Sequence, residues 1–383
     1  MIPGKFVLYL NAYKVYKIIH FNKNIFDGKM NKFNSIFNST IKNKTILIFE
    51  PNRYHFECLP GYAKYFIDLG YKIDILTRSF GINAFFLFNE IDKIRFFVYE
   101  NLKSLYKYAK KFPYSLLNIK LFIKKYDFIV VQTTDEKNKN LFIHLNLLSL
   151  NNTIFIFHNK HYIDNNYSEF FNRNHAWTLG NISKGILVNP HYFGNISIKD
   201  KKKKTIFFLT STKNRNYKYL VKSLIKLKKD NLKFEIIVVG NKNYFNIENI
   251  PKTLIRNFHF KFGTTYDEMY KCLVNADYII IPFDPKNKND ISYKTVRVSG
   301  SIQLSYGFLK PVIIDKNFAE FYSFNCKNSL IYENYDFYTI MKKAIKLNNK
   351  EYKYFQNNLN DTVKEIYKIS INNVKKSIYK NNK

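Results

Sequence analysis

No apolar run in the 383-residue chain is long enough to span a bilayer. The apolar stretch at residues 6–12 is short and gives way to Lys14 and Lys17. No small-residue cleavage site follows it, so it does not read as a secretory signal. Only three cysteines are present, Cys58, Cys272 and Cys326, far apart in the chain. An odd count at such spacing argues against a disulfide framework and against a cysteine-pair metal site, and it fits a reducing cytoplasm. Arginine is scarce, at seven of the 62 basic residues. Base readers lean on arginine for bidentate contacts, so no specific nucleic-acid partner is expected. The absence of a Gly-x-Gly-x-x-Gly fingerprint disfavours a nicotinamide dehydrogenase, and the absence of a Walker lysine loop disfavours nucleotide hydrolysis. No Asp-x-Asp follows a strand, so no divalent-metal clamp and no cofactor are expected.

What is abundant is apolar and cationic. Hydrophobic residues make up 46% of the chain, with 37 Phe and 31 Tyr, enough for a large core. The length suits two domains. The net charge of +33 comes from lysine spread along the whole sequence. Lys, Asn, Ile, Phe and Tyr share A/T-rich codons, so genome bias supplies part of that charge. A basic surface would still attract anionic lipid headgroups or phosphorylated substrates.

Residues 1–43 carry no pattern beyond Lys, Asn and aromatics and are expected as a leader or arm, with Met30 leaving the true start open. Order begins with residues 45–50 (TILIFE), a continuous apolar run like a strand buried on both faces. A loop, a helix over residues 61–69, Gly70 and a strand over residues 71–76 complete a βαβ unit, the building block of parallel sheets. Further strands are expected at 95–99, 127–132, 153–158 and 185–189, giving an N-terminal domain over 44–198. The run 199–204 (KDKKKK) is expected as a solvated linker. The rhythm then restarts over 205–345, with strands at 205–209, 234–239, 259–262, 277–281 and 310–314. Helices are expected at 217–229, 267–275 and 301–308, with a polar loop before residue 294. Lys-rich helices fill 346–383.

In open α/β sheets ligands bind beyond the carboxyl ends of the strands, which singles out four loops. The first places His55 and Glu57 after a buried strand. His55 has an ordinary pKa near neutrality and could take a proton from an acceptor hydroxyl, with Glu57 orienting it or acting as base itself. The alternative is a packed histidine and a helix-capping glutamate. The second, residues 210–216, is rich in hydroxyls and bases and suits a pyrophosphate, or is an ordinary polar turn. The third runs from Lys294 and Arg297 into Ser299-Gly300-Ser301 at a helix start. Free backbone amides, the helix dipole and two full charges could there hold a phosphate, although Ser-Gly-Ser is also a common N-cap. The fourth, residues 157–161, offers His158 as an acceptor or sugar contact.

The segments FFLTSTKNRNYKYLVKSL, FEIIVVGN, FHFKFGTTYDEMYKCLVNADYIIIPFD and SGSIQLSYGFLKPVIID resemble, in order and spacing, the C-terminal half of GT-B glycosyltransferases, especially family 4. ILIFEPNRYHFECLPGYAKYFIDLGYKIDIL is similar to that group's first βαβ unit, and NPHYFG to its last N-domain strand in bacterial polysaccharide transferases. The resemblance implies an α/β chain of two Rossmann-like domains whose parallel sheets face across a cleft, with a nucleotide sugar on the C-terminal domain and a saccharide or lipid-linked acceptor on the N-terminal one. It implies that Lys213 and Arg215 are the basic pair on the diphosphate and that Ser299, Gly300 and Ser301 are the phosphate-binding helix start, to which the loop itself adds Lys294 and Arg297. His55 and Glu57 would be catalytic, with Arg53 and His158 on the acceptor side. One departure stands out. Many members carry two glutamates around this helix start, one of them on the ribose, whereas residues 294–307 here contain no acidic residue. Retention or inversion at the sugar stays open.

The resulting expectation is a bacterial enzyme of cell-surface glycan or lipopolysaccharide synthesis that moves a hexose-type sugar, cytoplasmic and held at the inner face of the membrane. Two rivals remain: a non-catalytic module of the same fold that binds a glycan or partner, and a basic nucleic-acid-binding protein.

Overall fold

The computed structural model describes residues 6–8, 44–52, 54–99, 123–162, 176–180, 185–213 and 215–381. The chain divides into two units, one formed by Met1–Gly194 with Ile369–Lys383, the other by Asn195–Lys368.

The first unit is built on a sheet of order β1-β4-β3-β2-β5-β6-β7-β8. These strands are β1 (Phe6–Leu8), β2 (Thr45–Phe49), β3 (Lys72–Thr77), β4 (Ile94–Tyr99), β5 (Phe128–Val131), β6 (Thr153–Phe157), β7 (Ala176–Thr178) and β8 (Ile186–Leu187). All neighbours run parallel except β1, which pairs antiparallel with β4. β2, β5 and β6 are buried along their whole length, which is why they read as unbroken apolar runs. The helix Leu59–Asp68 packs so close to the chain returning at Pro190 that a Cβ on Gly61 would lie 2.5 Å from that residue's carbonyl carbon. Only glycine fits there.

The second unit carries a wholly parallel sheet of order β11-β10-β9-β12-β13-β14. Its strands are β9 (Thr205–Ser211), β10 (Phe234–Gly240), β11 (Phe258–Phe262), β12 (Tyr278–Ile281), β13 (Val312–Asp315) and β14 (Leu330–Tyr332). Phe207, Leu209, Ile236, Val238 and Ile280 form its core with Leu220, Leu224 and Leu227 of the amphipathic helix Lys218–Lys229. In both units strand order reverses beside the first long strand. β2 lies between β3 and β5, and β9 lies between β10 and β12. Such reversal points leave crevices at the strand carboxyl ends, because the flanking connections depart in opposite directions.

Two expectations need correction and one needs refining. The basic run 199–204 is exposed at all but Lys201, as a solvated segment would be, and it is also tied down. The buried Asp277 carboxylate accepts from the Lys202 and Ile206 amides at 3.0 and 2.7 Å, and Lys201 Nζ donates to the carbonyls of Ile345 and Leu347. Unpaired carbonyls at a helix end recruit the lysine. The polar segment before residue 294 contains the helix Lys288–Thr295, started by the Asn287 side chain accepting from Asn289 N. The Lys-rich tail is one helix, Asn349–Asn381, and no appendage. Tyr352, Phe355 and Leu359 are buried within the second unit, and Val374 and Ile378 within the first.

Candidate functional site

At the reversal point of the first unit, the loops following β2, β5 and β6 come together. Glu50 directly follows β2 and is fully buried. Its carboxyl accepts from the Asn52 amide at 2.7 Å and the Thr133 hydroxyl at 2.6 Å. Burial pushes its pKa up to about 8, against the opposing pull of those two hydrogen bonds and of His55. Asn52 donates from its side chain to Asp135 at 3.1 Å, tying the β2 loop to the β5 loop.

These ties hold His55 in a left-handed backbone conformation, φ 67° and ψ 18°, unusual for a residue with a Cβ. Gln132 secures it by donating its amide to the His55 carbonyl. The ring of His55 lies on that of His158, with centroids 3.9 Å apart and planes 19° from parallel. His55 Nδ1 faces Glu57 Oε1 at 3.5 Å, and the His55 side chain is 38% exposed. Burial disfavours its charged form, but the Glu57 hydrogen bond and the charges of Glu57, Glu50 and Asp135 outweigh it and raise the pKa. His158 behaves oppositely. Burial, reinforced by the charge of His55, takes its pKa well below the ordinary value. Its Nε2 lies 3.1 Å from the Gln132 carbonyl oxygen. A carbonyl can only accept, so Nε2 carries the hydrogen and Nδ1 keeps a bare lone pair.

This is a carboxylate–histidine pair with Nε2 of His55 open among the described residues, the geometry of a general base. His55, Glu57 and His158 are thus brought together, although the sequence placed His158 in a separate loop. Arg53 lies outside the described residues. Glu50, Gln132, Thr133 and Asp135 were not singled out in the sequence. The one available signal was a carboxylate closing an otherwise apolar buried strand.

At the second reversal point, Thr210 at the end of β9 shares a 2.8 Å hydrogen bond with Ser301 in the first turn of the helix Gly300–Phe308. The loop after β9 and the helix start are therefore one structure. Gly240 makes room for it: with φ at 130°, a Cβ there would sit 2.4 Å from Ser211 Oγ. Ser299 occupies the N-cap position without a side-chain capping bond, and Ser299 and Ser301 are buried while Gly300 is exposed. The first intrahelical-turn bond comes from Ile302 N to Ser299 O at 3.1 Å, so the amides of Gly300 and Ser301 precede it and can turn to an anion.

The basic residues divide. Lys213 is exposed on the loop. Lys294 is half-buried, its ammonium 5.8 Å from the centre of the Phe318 ring. Arg297 lies 4.3 Å over Tyr293 and donates Nε to Ser292 Oγ and Nη2 to the Asn289 carbonyl, so it braces the preceding helix. Arg215 departs from its expected place on a ligand. Its side chain is 2% exposed, faces Asp290 at 3.3 Å and lies 4.7 and 5.6 Å from the Phe283 and Tyr293 ring centres. A planar, weakly hydrated guanidinium tolerates such a slot where an ammonium would not. Burial raises the Asp290 pKa, with Arg215 pulling it back. Asp290 was missed because nothing local marks it as this arginine's partner.

Among the described residues no group of three His, Cys, Asp or Glu side chains is arranged to hold a metal, and no helix is long and apolar enough to cross a membrane.

The sequence matches no protein-family model and none of the curated proteins. Solved structures do match the fold. TarM aligns at 12% identity with a TM-score of 0.55, covering 90% of this chain and all of its own. A glycosyltransferase from Rickettsia africae ESF-5 aligns at 14% identity and 0.53, covering 89% and 100%. HepE of Anabaena, in complex with UDP-glucose, aligns at 12% identity and 0.51, covering 87% and 98%. The chain has the GT-B fold, two Rossmann-like α/β units.

Proposed function

We propose that the protein is a glycosyltransferase that moves a sugar from a nucleoside-diphosphate donor to a hydroxyl of a saccharide or lipid-linked acceptor. The observation that carries this reading is a base-type constellation, Glu57–His55, at one reversal point and an anion-type helix start joined to the β9 loop at the other. The likeness to HepE, in complex with UDP-glucose, supports a sugar-nucleotide donor.

In this reading the amides of Gly300 and Ser301 meet the diphosphate, with Lys213 and Lys294 supplying full charges, and Thr210 and Ser299 shape the turn. His55 Nε2 takes the acceptor proton as the acceptor oxygen bonds to the anomeric carbon. The bond from that carbon to the diphosphate breaks, and the diphosphate leaves with the electron pair. Glu57 stabilises the imidazolium that forms. Arg215 acts indirectly, by fixing the helix Lys288–Thr295 that carries Lys294. We place the protein with the family 4 enzymes of bacterial surface-glycan synthesis, transferring a hexose-type sugar at the anionic cytoplasmic leaflet. The net charge of +33 supports that location.

A thermal-shift screen of UDP-, GDP-, CMP- and dTDP-sugars tests the reading. A cognate donor at one hundred times its Kd should stabilise the fold by about 2.7 kcal/mol. Failure of every sugar nucleotide to raise the melting temperature, with no nucleotide release, would remove it.

A further inference from the structure

The stacked histidines at the first reversal point have unequal chemistry, and the reaction proposed above uses only one of them. His55 leaves Nε2 without a partner among the described residues, since Nδ1 is turned to Glu57. His158 leaves Nδ1 without one, since its Nε2–H is spent on the Gln132 carbonyl. The ring centroids lie only 3.9 Å apart, so the two open nitrogens belong to one small patch. The side chain that fixes the His55 backbone adds an enclosed acceptor behind them. Gln132 Oε1 is buried and has no hydrogen-bond partner among the described residues, although the same amide donates to the His55 backbone.

A patch whose unmet groups are acceptors needs donors. With His55 in its neutral, base form, phosphate and carboxylate groups are acceptors only and would face bare lone pairs, with the carboxyls of Glu57, Glu50 and Asp135 close to His55 as well. Hydroxyls donate and accept, so they satisfy it. We infer that the His55–His158 stack selects a vicinal diol of a neutral sugar, His55 receiving the proton of the hydroxyl that is glycosylated and His158 Nδ1 accepting a hydrogen bond from its neighbour. His158 is then a specificity residue. Because it stays neutral, it cannot compete with His55 for the reacting proton. The inference rests on the glycosyltransferase reading for the role of His55, and on the stack alone for the diol.

The experiment is nitrogen-15 NMR of the histidine-labelled full chain, with His158→Phe, which keeps a ring over His55, identifying the resonances. The His158 imidazole should stay neutral through the ordinary histidine range, with the hydrogen on Nε2. Titration in that range, or a hydrogen on Nδ1, overturns the inference. The wild-type protein is then titrated with methyl α-D-glucopyranoside and with its 3-deoxy analogue, which has no vicinal diol. The glucoside should perturb the His158 Nδ1 resonance and bind about three- to tenfold more tightly, the worth of one hydrogen bond. In His158→Phe the two sugars should bind alike. Equal binding of the two sugars to the wild type, which needs no variant, overturns the inference, and so does the absence of any perturbation of the His158 resonance by the glucoside. Melting with UDP-glucose in the same preparation separates the two readings. A donor shift without diol preference sinks only this inference, and diol preference without any sugar-nucleotide shift sinks only the transferase reading.

Discussion

Arg215 and Asp290 face each other at 3.3 Å with side chains 2% and 3% exposed, so the second unit buries an ion pair beside its reversal point. Such a pair costs desolvation on both sides, and it is worth most as a device that fixes geometry. Asp290 also accepts from the Asp284 amide at 3.0 Å, which pins the start of the loop after β12 to the helix Lys288–Thr295.

Removing one partner strands a buried charge. Arg215→Met should therefore cost about 3–5 kcal/mol in urea unfolding. Arg215→Met with Asp290→Leu should recover much of that loss. A single variant that unfolds at the wild-type urea midpoint would show that the pair is not buried in solution.

The open nitrogen of His55 sets a pH profile. Its raised pKa means that the base form accumulates only above the ordinary histidine range, so kcat/KM should rise with pH through a limb above about 6.5. Glu57→Gln removes both the hydrogen bond and the charge that raise it, so the limb should move to lower pH. His55→Gln should lower kcat about 10²- to 10⁴-fold and erase the limb. A profile unchanged in Glu57→Gln would separate that carboxylate from the base.

Glu50 links the same loop to stability. Its folded pKa of about 8 lies above the unfolded value of 4.5, so the folded state holds the proton more tightly. Its contribution is complete below pH 4.5 and is lost as pH rises through about 8. Glu50→Gln keeps the neutral shape without the titration. The stability of the variant relative to the wild type should climb across that interval by roughly 3–5 kcal/mol. Parallel stability curves from pH 4.5 to 8 would contradict a buried, neutral carboxyl.

These predictions also mark what the sequence could reveal. β2, β9 and β12 were legible because strands buried on both faces leave unbroken apolar runs. The helix start at Ser299–Ser301 was legible because small residues between a basic segment and an apolar run have few other uses. The helix Lys288–Thr295 was hidden, since only Asp290 of its residues is buried and no apolar stripe marks it. Arg215 read as a ligand cation because the carboxylate and rings that enclose it arrive from a distant segment. The His55–His158 stack was hidden for the same reason. Local pattern reports which loops end at the strand tips, and the order of strands in the sheet decides which loops meet.

The donor half is tested through the bond between Thr210 and Ser301, 2.8 Å long and shared between the β9 loop and the helix start. Thr210→Val keeps the shape and removes the hydroxyl. Ser301 then loses its partner in a buried place, so stability should fall by about 1–3 kcal/mol. Sugar-nucleotide affinity should fall with it, because the turn that presents the Gly300 and Ser301 amides is no longer tied down. Lys213→Ala separates charge from architecture. The residue is exposed, so the melting temperature should hold, while the Kd for UDP-glucose should weaken about tenfold, most visibly at low salt, where exposed charges are least screened. If Lys213→Ala binds UDP-glucose as the wild type does while Thr210→Val does not, the diphosphate is held by the backbone amides with no help from that lysine. If both variants keep full affinity, the helix start is not where the donor binds.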